Sequence, residues 1–226
     1  MLVVLEGLDG AGKSTQVKRL QKYLAARTGA LEYIHFPRYD APVYGSLISR
    51  FLQGAFGAIE SVHPQLVALL FAEDRHGAGP SIRQALEEGK TVLLDRYVYS
   101  NIAYQCAKLS SKEEQEQLRD WIFRTEYGDF CLPRPDLNLF LDVPIGFVKE
   151  NLQGQRQGDD RSYLEGASDI HEANIGFQEK VRELYLRECE RDNDFLRIDC
   201  SGADGKMLDP DSIFEKVRQA VDTFLL

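Results

Sequence analysis

The chain has 226 residues, 43% of them hydrophobic and 28% charged, a balance that builds a core and excludes a disordered polymer. Its formal net charge of −9 argues against a nucleic-acid polymer as the main partner, and any anionic ligand must be held by local cations. No stretch approaches the ~20 apolar residues of a membrane span, and the short N-terminal apolar run does not resemble a signal peptide, so a soluble protein with no membrane partner is expected.

Met1-Leu2-Val3-Val4-Leu5 reads as a buried strand, and Gln16–Ala26 as a helix with Val17, Leu20 and Leu24 at helical spacing. Between them lies Gly7-Leu8-Asp9-Gly10-Ala11-Gly12-Lys13-Ser14-Thr15, the phosphate-binding pattern G-x-x-x-x-G-K-[ST] in its strand–loop–helix context. Glycines let backbone N–H groups turn toward phosphate oxygens, and the helix start adds partial positive charge. Lys13 is expected to reach the outer phosphates of a nucleoside triphosphate and the Ser14 hydroxyl to sit on Mg²⁺.

Leu31–Phe36 reads as a second strand, Val43–Gly54 as an amphipathic helix, and Pro64–Arg75 as a further helix. Pro80 opens another helix, which Gly89 stops. Thr91–Asp95 is a continuous apolar strand closed by a carboxylate, followed by a helix over Tyr99–Lys108. Ser110–Glu113 carries the cap of a helix running to about Thr125. Leu137–Val143 is a third buried strand, and Pro144 begins a helix to about Leu152. The charged, Gly-containing segment Gln153–Ser168 is followed by a long helix from about Asp169 to Arg191, a last strand Phe195–Asp199 and a last helix Asp209–Leu226.

Apolar strands alternating with helices imply an α/β fold, a parallel β-sheet with helices on both faces. No repeat or linker divides residues 1–226, which read as a single domain. In such folds ligands bind beyond the carboxyl ends of the strands, which places Gly7–Thr15, Phe36–Tyr39 and Asp95–Tyr97 together. Asp95, at a strand end, suits Mg²⁺ or its water shell. Arg96 would enter the crevice beside Lys13, its planar fork matched to phosphate. Cys106, Cys131, Cys189 and Cys200 form no C-x-x-C pair and are expected as free thiols in a reducing cytoplasm. His35, His63 and His76 read as structural or exposed.

Taken together, Leu5–Thr15, Phe36-Pro37-Arg38-Tyr39, Leu70–Arg75, Asp95-Arg96-Tyr97-x-x-Ser100-Asn101-x-x-Tyr104 and Leu132–Leu137 resemble the thymidylate kinase family in order and spacing. The resemblance implies a P-loop nucleoside monophosphate kinase-like fold with a lid over residues 153–168. It implies transfer of the ATP γ-phosphoryl group to thymidine 5′-monophosphate in dTTP synthesis, small-molecule nucleotide partners, Mg²⁺ and a homodimer. It also implies that Gly7, Asp9, Gly10, Ala11, Gly12, Lys13, Ser14 and Thr15 hold ATP, with Ser14 and Asp95 at the metal. For the acceptor, Phe71 would stack on thymine, Arg75 would bond the carbonyl distal to the sugar, Asn101 would read the ring N–H, and Tyr104 would crowd the sugar 2′ position. Asp9 would accept from the 3′-hydroxyl or lie near acceptor-side Mg²⁺. Phe36, Arg38 and Tyr39 would border the acceptor, with Arg38 or Tyr39 at its phosphate. Asp169 and Glu172 would lie near the acceptor sugar and phosphate, with His171 between them in place of a more usual apolar or aromatic residue. Gly10 and Ala11 occupy the part of the loop where some members place an Arg, so catalytic charge must come from Lys13, Arg96 and the lid arginines Arg156 and Arg161. Arg156 is equally suited to stacking on adenine, whose edge would meet Ser201–Lys206.

Two rival readings have different residue requirements. A deoxynucleoside kinase needs a carboxylate base after an early strand, where this chain has Phe36-Pro37-Arg38-Tyr39. A guanine-nucleotide switch would carry an N-K-x-D run, which the sequence lacks.

Overall fold

Five strands form one sheet: β1 (Leu2–Gly7), β2 (Leu31–His35), β3 (Thr91–Asp95), β4 (Leu137–Asp142) and β5 (Phe195–Asp199). Every pairing is parallel and the order is β2-β3-β1-β4-β5. The computed structural model describes residues 1–153, 169–172 and 174–225. The three inner strands are buried at every position, which is why their sequences are mostly apolar rather than alternating, with Glu6 in β1 and Asn138 in β4 as buried polar exceptions. The edge strands β2 and β5 are only partly covered.

Helix α1 (Lys13–Thr28) packs with α8 (Pro210–Leu225) on one face of the sheet. The other face carries α3 (Pro64–Glu87), α4 (Val98–Cys106) and α7 (Ile175–Arg191), with α5 (Lys112–Phe123) against α4 and α2 (Tyr44–Leu52) against α3. Helix α6 (Ile145–Gln153) follows β4. Aromatic rings fill the layer beneath α4 and α7: Phe140 stacks on Tyr185 at 4.6 Å and Tyr99 on Phe195 at 4.2 Å. Each such buried side chain contributes roughly 1.5–3 kcal/mol.

Three predicted boundaries move. The two helices expected around Pro80 are one, α3, with the proline inside it. Proline disfavours a helical residue before it because of that residue's Cβ, and here the preceding residue is Gly79. The helix expected from Asp169 begins at Ile175, where the Asn174 side chain accepts from the Phe177 N–H at 3.2 Å. Asp169 instead folds its carboxylate onto the His171 N–H at 2.7 Å and closes a turn. The helix expected to reach Thr125 stops at Phe123 and widens into a π-helical turn, Arg124–Asp129.

Candidate active site

The phosphate loop leaves β1 and enters α1 through Gly10 (φ 76°) and Gly12 (φ 73°), both in the left-handed region open to glycine. Gly12 caps α1 without a side-chain hydrogen bond over the first turn, and of that turn the Thr15 N–H returns to the Gly12 carbonyl at 3.2 Å; the uncapped start suits an anion. Ser14 and Thr15 are exposed on the same turn. The Asn151 amide, from α6, donates to the Gly10 carbonyl at 2.7 Å and steadies the loop.

Lys13 reaches from this turn to the end of β3 and pairs with Asp95. Burial alone would raise the Asp95 carboxyl. The Lys13 ammonium and a hydrogen bond from His35 outweigh it and hold the group well below the usual carboxylate range. His35 approaches Asp95 through Nδ1 at 3.1 Å, from the strand next to β3. His63, by contrast, caps α3, and His76 stacks on Phe130 at 4.2 Å.

Arg96 is a non-glycine residue with φ 68°, a conformation that costs on the order of 1–3 kcal/mol. Its N–H donates to the Leu5 carbonyl at 3.0 Å, and the next N–H, of Tyr97, to Glu6 Oε1 at 2.8 Å. Glu6 is fully buried and also binds Ser100 and the Tyr185 hydroxyl. With the chain so fixed, the guanidinium reaches Asp9 Oδ1 at 2.6 Å, Ser100 Oγ at 3.2 Å and the Tyr104 hydroxyl at 3.2 Å. The Tyr104 hydroxyl donates to Asp9 Oδ2 at 2.8 Å, and Gln178 donates to the same oxygen at 3.1 Å. Asp9 is held below its ordinary range because Arg96 and these hydrogen bonds overcome its burial.

Beside Arg96 opens a cleft of about 530 Å³. Its lining gathers Asp9, Phe36, Tyr39, Phe71, Arg75, Arg96, Asn101, Tyr104 and Asp169 from five separate stretches of chain, all expected at the acceptor. Phe71 is half-buried, edge-on to Phe51. Arg38 lies next to the cleft with its guanidinium on Asp74, Nε to Oδ1 at 2.9 Å. Glu172 is half-buried in the Asp169 turn and is not part of the lining. A second cleft of about 500 Å³ lies past the phosphate loop, bordered by Gly12, Thr15, Cys200 and Met207. The Ser201–Lys206 loop closes beside it through a Gly202 N–H to Lys206 carbonyl bond at 2.8 Å. Arg156, Arg161 and the rest of the expected lid beyond Gln153 lie outside the described residues.

Several residues of this site carry no motif. Glu126 takes both nitrogens of Arg75 that face it, at 2.5 and 2.7 Å. Gln105 and His171 also line this cleft, as does Ser100 of the Asp95–Tyr104 motif. His171 is held neutral, its imidazole pushed well down by burial and by the positive charge of Lys108. Glu6 left a signal in the sequence as a lone carboxylate inside an apolar strand, and His171 as an unusual residue at its place, whereas Glu126 and Gln105 left none.

A parallel sheet with a phosphate loop at one strand end and a second polar cleft beside it defines a nucleotide phosphotransferase. The family model for thymidylate kinase matches residues 5–206. The chain is 33% identical over 185 residues to the thymidylate kinase of Mycobacterium tuberculosis strain CDC 1551, covering 82% of this chain and 84% of the relative. It is 35% identical over 195 residues to a probable thymidylate kinase of Thermococcus kodakarensis, covering 84% of each. Among solved structures, a thymidylate kinase from Candida albicans superposes with a TM-score of 0.72 at 30% identity, over 98% of this chain and 91% of that one. This chain belongs to the thymidylate kinase family, whose reaction is phosphoryl transfer from ATP to thymidine 5′-monophosphate in dTTP synthesis.

Proposed function

We propose that the two clefts divide that reaction between them: ATP over the phosphate loop and the cleft beside Met207, thymidine monophosphate in the cleft between Phe71 and Tyr104. What carries the reading is Arg96, which emerges from the end of β3 between the two and lines the acceptor cleft while Lys13 lies one strand away. The nucleophile is an oxygen of a phosphate monoester whose second pKa is ~6, so it is already ionised near neutrality and no general base is required. The obstacle is repulsion between two anions, which cations and positioning remove.

In this assignment Lys13 and the N–H groups of the first α1 turn bind the donor phosphates. Arg96 spans donor and acceptor phosphate, kept in place by Asp9, Ser100 and Tyr104. Phe71 offers a ring face to the base, and Asn101 an unpaired buried Oδ1 to the ring N–H. Tyr104 closes the sugar 2′ side, Asp9 serves the 3′ side, and Asp169 borders the same end. Phe36, Arg38 and Tyr39 wall the acceptor side, with Arg38 or Tyr39 toward its phosphate. Arg156 and Arg161 are proposed to add charge, since the loop itself carries no cation besides Lys13. Glu172 is proposed to act alongside Asp169.

The exposed Ser14 hydroxyl and the ionised Asp95 carboxylate form an oxygen-only donor set of the kind that suits Mg²⁺, which completes its shell with waters and phosphate oxygens. When bound, Mg²⁺ screens the donor phosphates. A cytoplasmic setting is supported by the four free cysteines, two of them buried. Pairing into a homodimer is supported by Val43 and Leu66, 68% and 62% exposed at the starts of α2 and α3.

A coupled ADP-release assay with ATP tests the assignment. Turnover is expected with thymidine monophosphate and not with thymidine; the reverse result would overturn it. Arg96→Ala is expected to lower kcat by roughly 10²–10³, the range for removing one preorganised charge donor, with a modest fall in Tm because Asp9 loses its charge partner.

A further inference from the structure

Behind the acceptor cleft stands a carboxylate that the phosphoryl transfer does not use. Glu126 is fully enclosed and comes from the π-helical turn Arg124–Asp129, an irregular turn of the kind that gathers at functional sites. Its two oxygens take Nε and Nη2 of Arg75 at 2.5 and 2.7 Å. Oε1 also accepts from Asn101 Nδ2 at 2.9 Å. The second proton of that amide goes to the Ala68 carbonyl, again at 2.9 Å. Asn101 Oδ1 is left buried with no partner, on a side chain that lines the cleft.

An asparagine amide normally presents either end at little cost, because its oxygen and nitrogen occupy similar space. Here the choice is closed. Turned over, Oδ1 would face the Glu126 carboxylate and the Ala68 carbonyl, one acceptor against two others. Asn101 therefore offers the cleft an acceptor only. Arg75 has no acceptor at all, and Glu126 fixes the plane of its guanidinium, so it offers the cleft donors only.

We propose that Glu126 is the positioning residue for base selection: by orienting Arg75 and Asn101 together, it makes the cleft accept a base with a ring N–H beside a carbonyl and reject one with a bare ring nitrogen beside an amino group. Thymine has the first edge and cytosine the second. Cytosine would set a lone pair against Asn101 Oδ1 and an amino group against the Arg75 donors. Groups built to pair and left unpaired discriminate strongly. The inference rests on the assignment of this cleft to the acceptor base.

The test measures steady-state kinetics of Glu126→Gln with thymidine and deoxycytidine monophosphates. Glutamine keeps the shape but can donate as well as accept, so the amide of Asn101 is no longer held. The ratio of kcat/KM for thymidine over deoxycytidine monophosphate is expected to fall at least tenfold, chiefly through the KM for the thymidine nucleotide, with KM for ATP unchanged. A ratio within twofold of the parent enzyme, whether both substrates weaken together or neither does, overturns the proposal, because a merely structural carboxylate would affect both alike. Should Glu126→Gln not fold, Glu126→Asp keeps the charge but cannot span both partners, and is read by the same criteria. Phe71→Ala separates the two levels of argument. It is expected to raise KM for both nucleotides; if it leaves both unchanged, the cleft assignment fails and the role of Glu126 with it. If it raises both while the Glu126 variants keep their selectivity, only the role of Glu126 fails.

Discussion

Lys108 sits with its ammonium 4.9 Å above the Phe51 ring and donates to Gln105 Oε1 at 2.7 Å. Burial lowers its pKa to about 7 against the weaker opposing pull of Glu60. An unfolded lysine titrates near ~10.4, so between about pH 7 and pH 10 the unfolded chain binds more protons than the folded one. Stability owed to this group therefore rises with pH across that window, and the penalty for charging it is complete below pH 7. Lys108→Met is expected to raise the Tm at pH 7 by roughly 2–4 °C, the shift that ~1 kcal/mol produces in a chain of this size. It should also flatten the rise in Tm between pH 7 and 9; thermal melts across that range check both. Single residues of the site divide by how they announce themselves. Phe71, Arg75, Asn101 and Tyr104 stand at fixed spacing within short motifs, and all of them line the cleft proposed for the acceptor. Glu126 is 51 residues from Arg75, and Gln178 is 169 residues from Asp9. Partners at such separations meet only through tertiary packing, which no local pattern encodes. The contact of His35 with Asp95 likewise depends on β2 lying beside β3.

Elements show a similar division. Strands that are buried on both faces were legible because burial on both faces demands a continuous apolar run. The continuity of α3 was not, since the proline signal for a break is cancelled by one glycine whose effect is steric and local. Helix α2 starts against the segment after β2, and there the fit is tight. A methyl group at Gly45 would overlap the carbonyl of Tyr39 and crowd that of Arg38. Gly45→Ala is therefore expected to push the Arg38–Tyr39 segment out of place and destabilise the fold by roughly 1–3 kcal/mol, the usual cost of overpacking. Acceptor KM should rise while KM for ATP stays constant, which steady-state kinetics with each substrate varied in turn will show. The π-helical turn was also hidden, because a wider helical turn keeps helical composition and changes only which side chain faces inward.

At the scale of the molecule, alternating strands and helices announced a parallel sheet, but the order β2-β3-β1-β4-β5 follows from crossovers that periodicity does not record. That order sets the ends of β2, β3 and β1 side by side, and so creates the site. The proposed homodimer belongs to this scale too. Sedimentation velocity is expected to give a species of twice the 25.7 kDa chain mass at micromolar concentration, and Leu66→Glu to shift it toward the monomer. A single monomeric boundary for the unaltered chain would remove the proposal. One feature of the far end of the cleft reaches beyond the natural substrates. The Arg75–Glu126 couple is electrically self-contained, its two charges cancelling within the wall. If the cleft takes the acceptor base as proposed, an uncharged heterocycle with the edge of thymine is expected to lodge against Phe71 without a phosphate tail. That makes the inner end of the slot a foothold for membrane-permeable inhibitors built outward from a neutral ring.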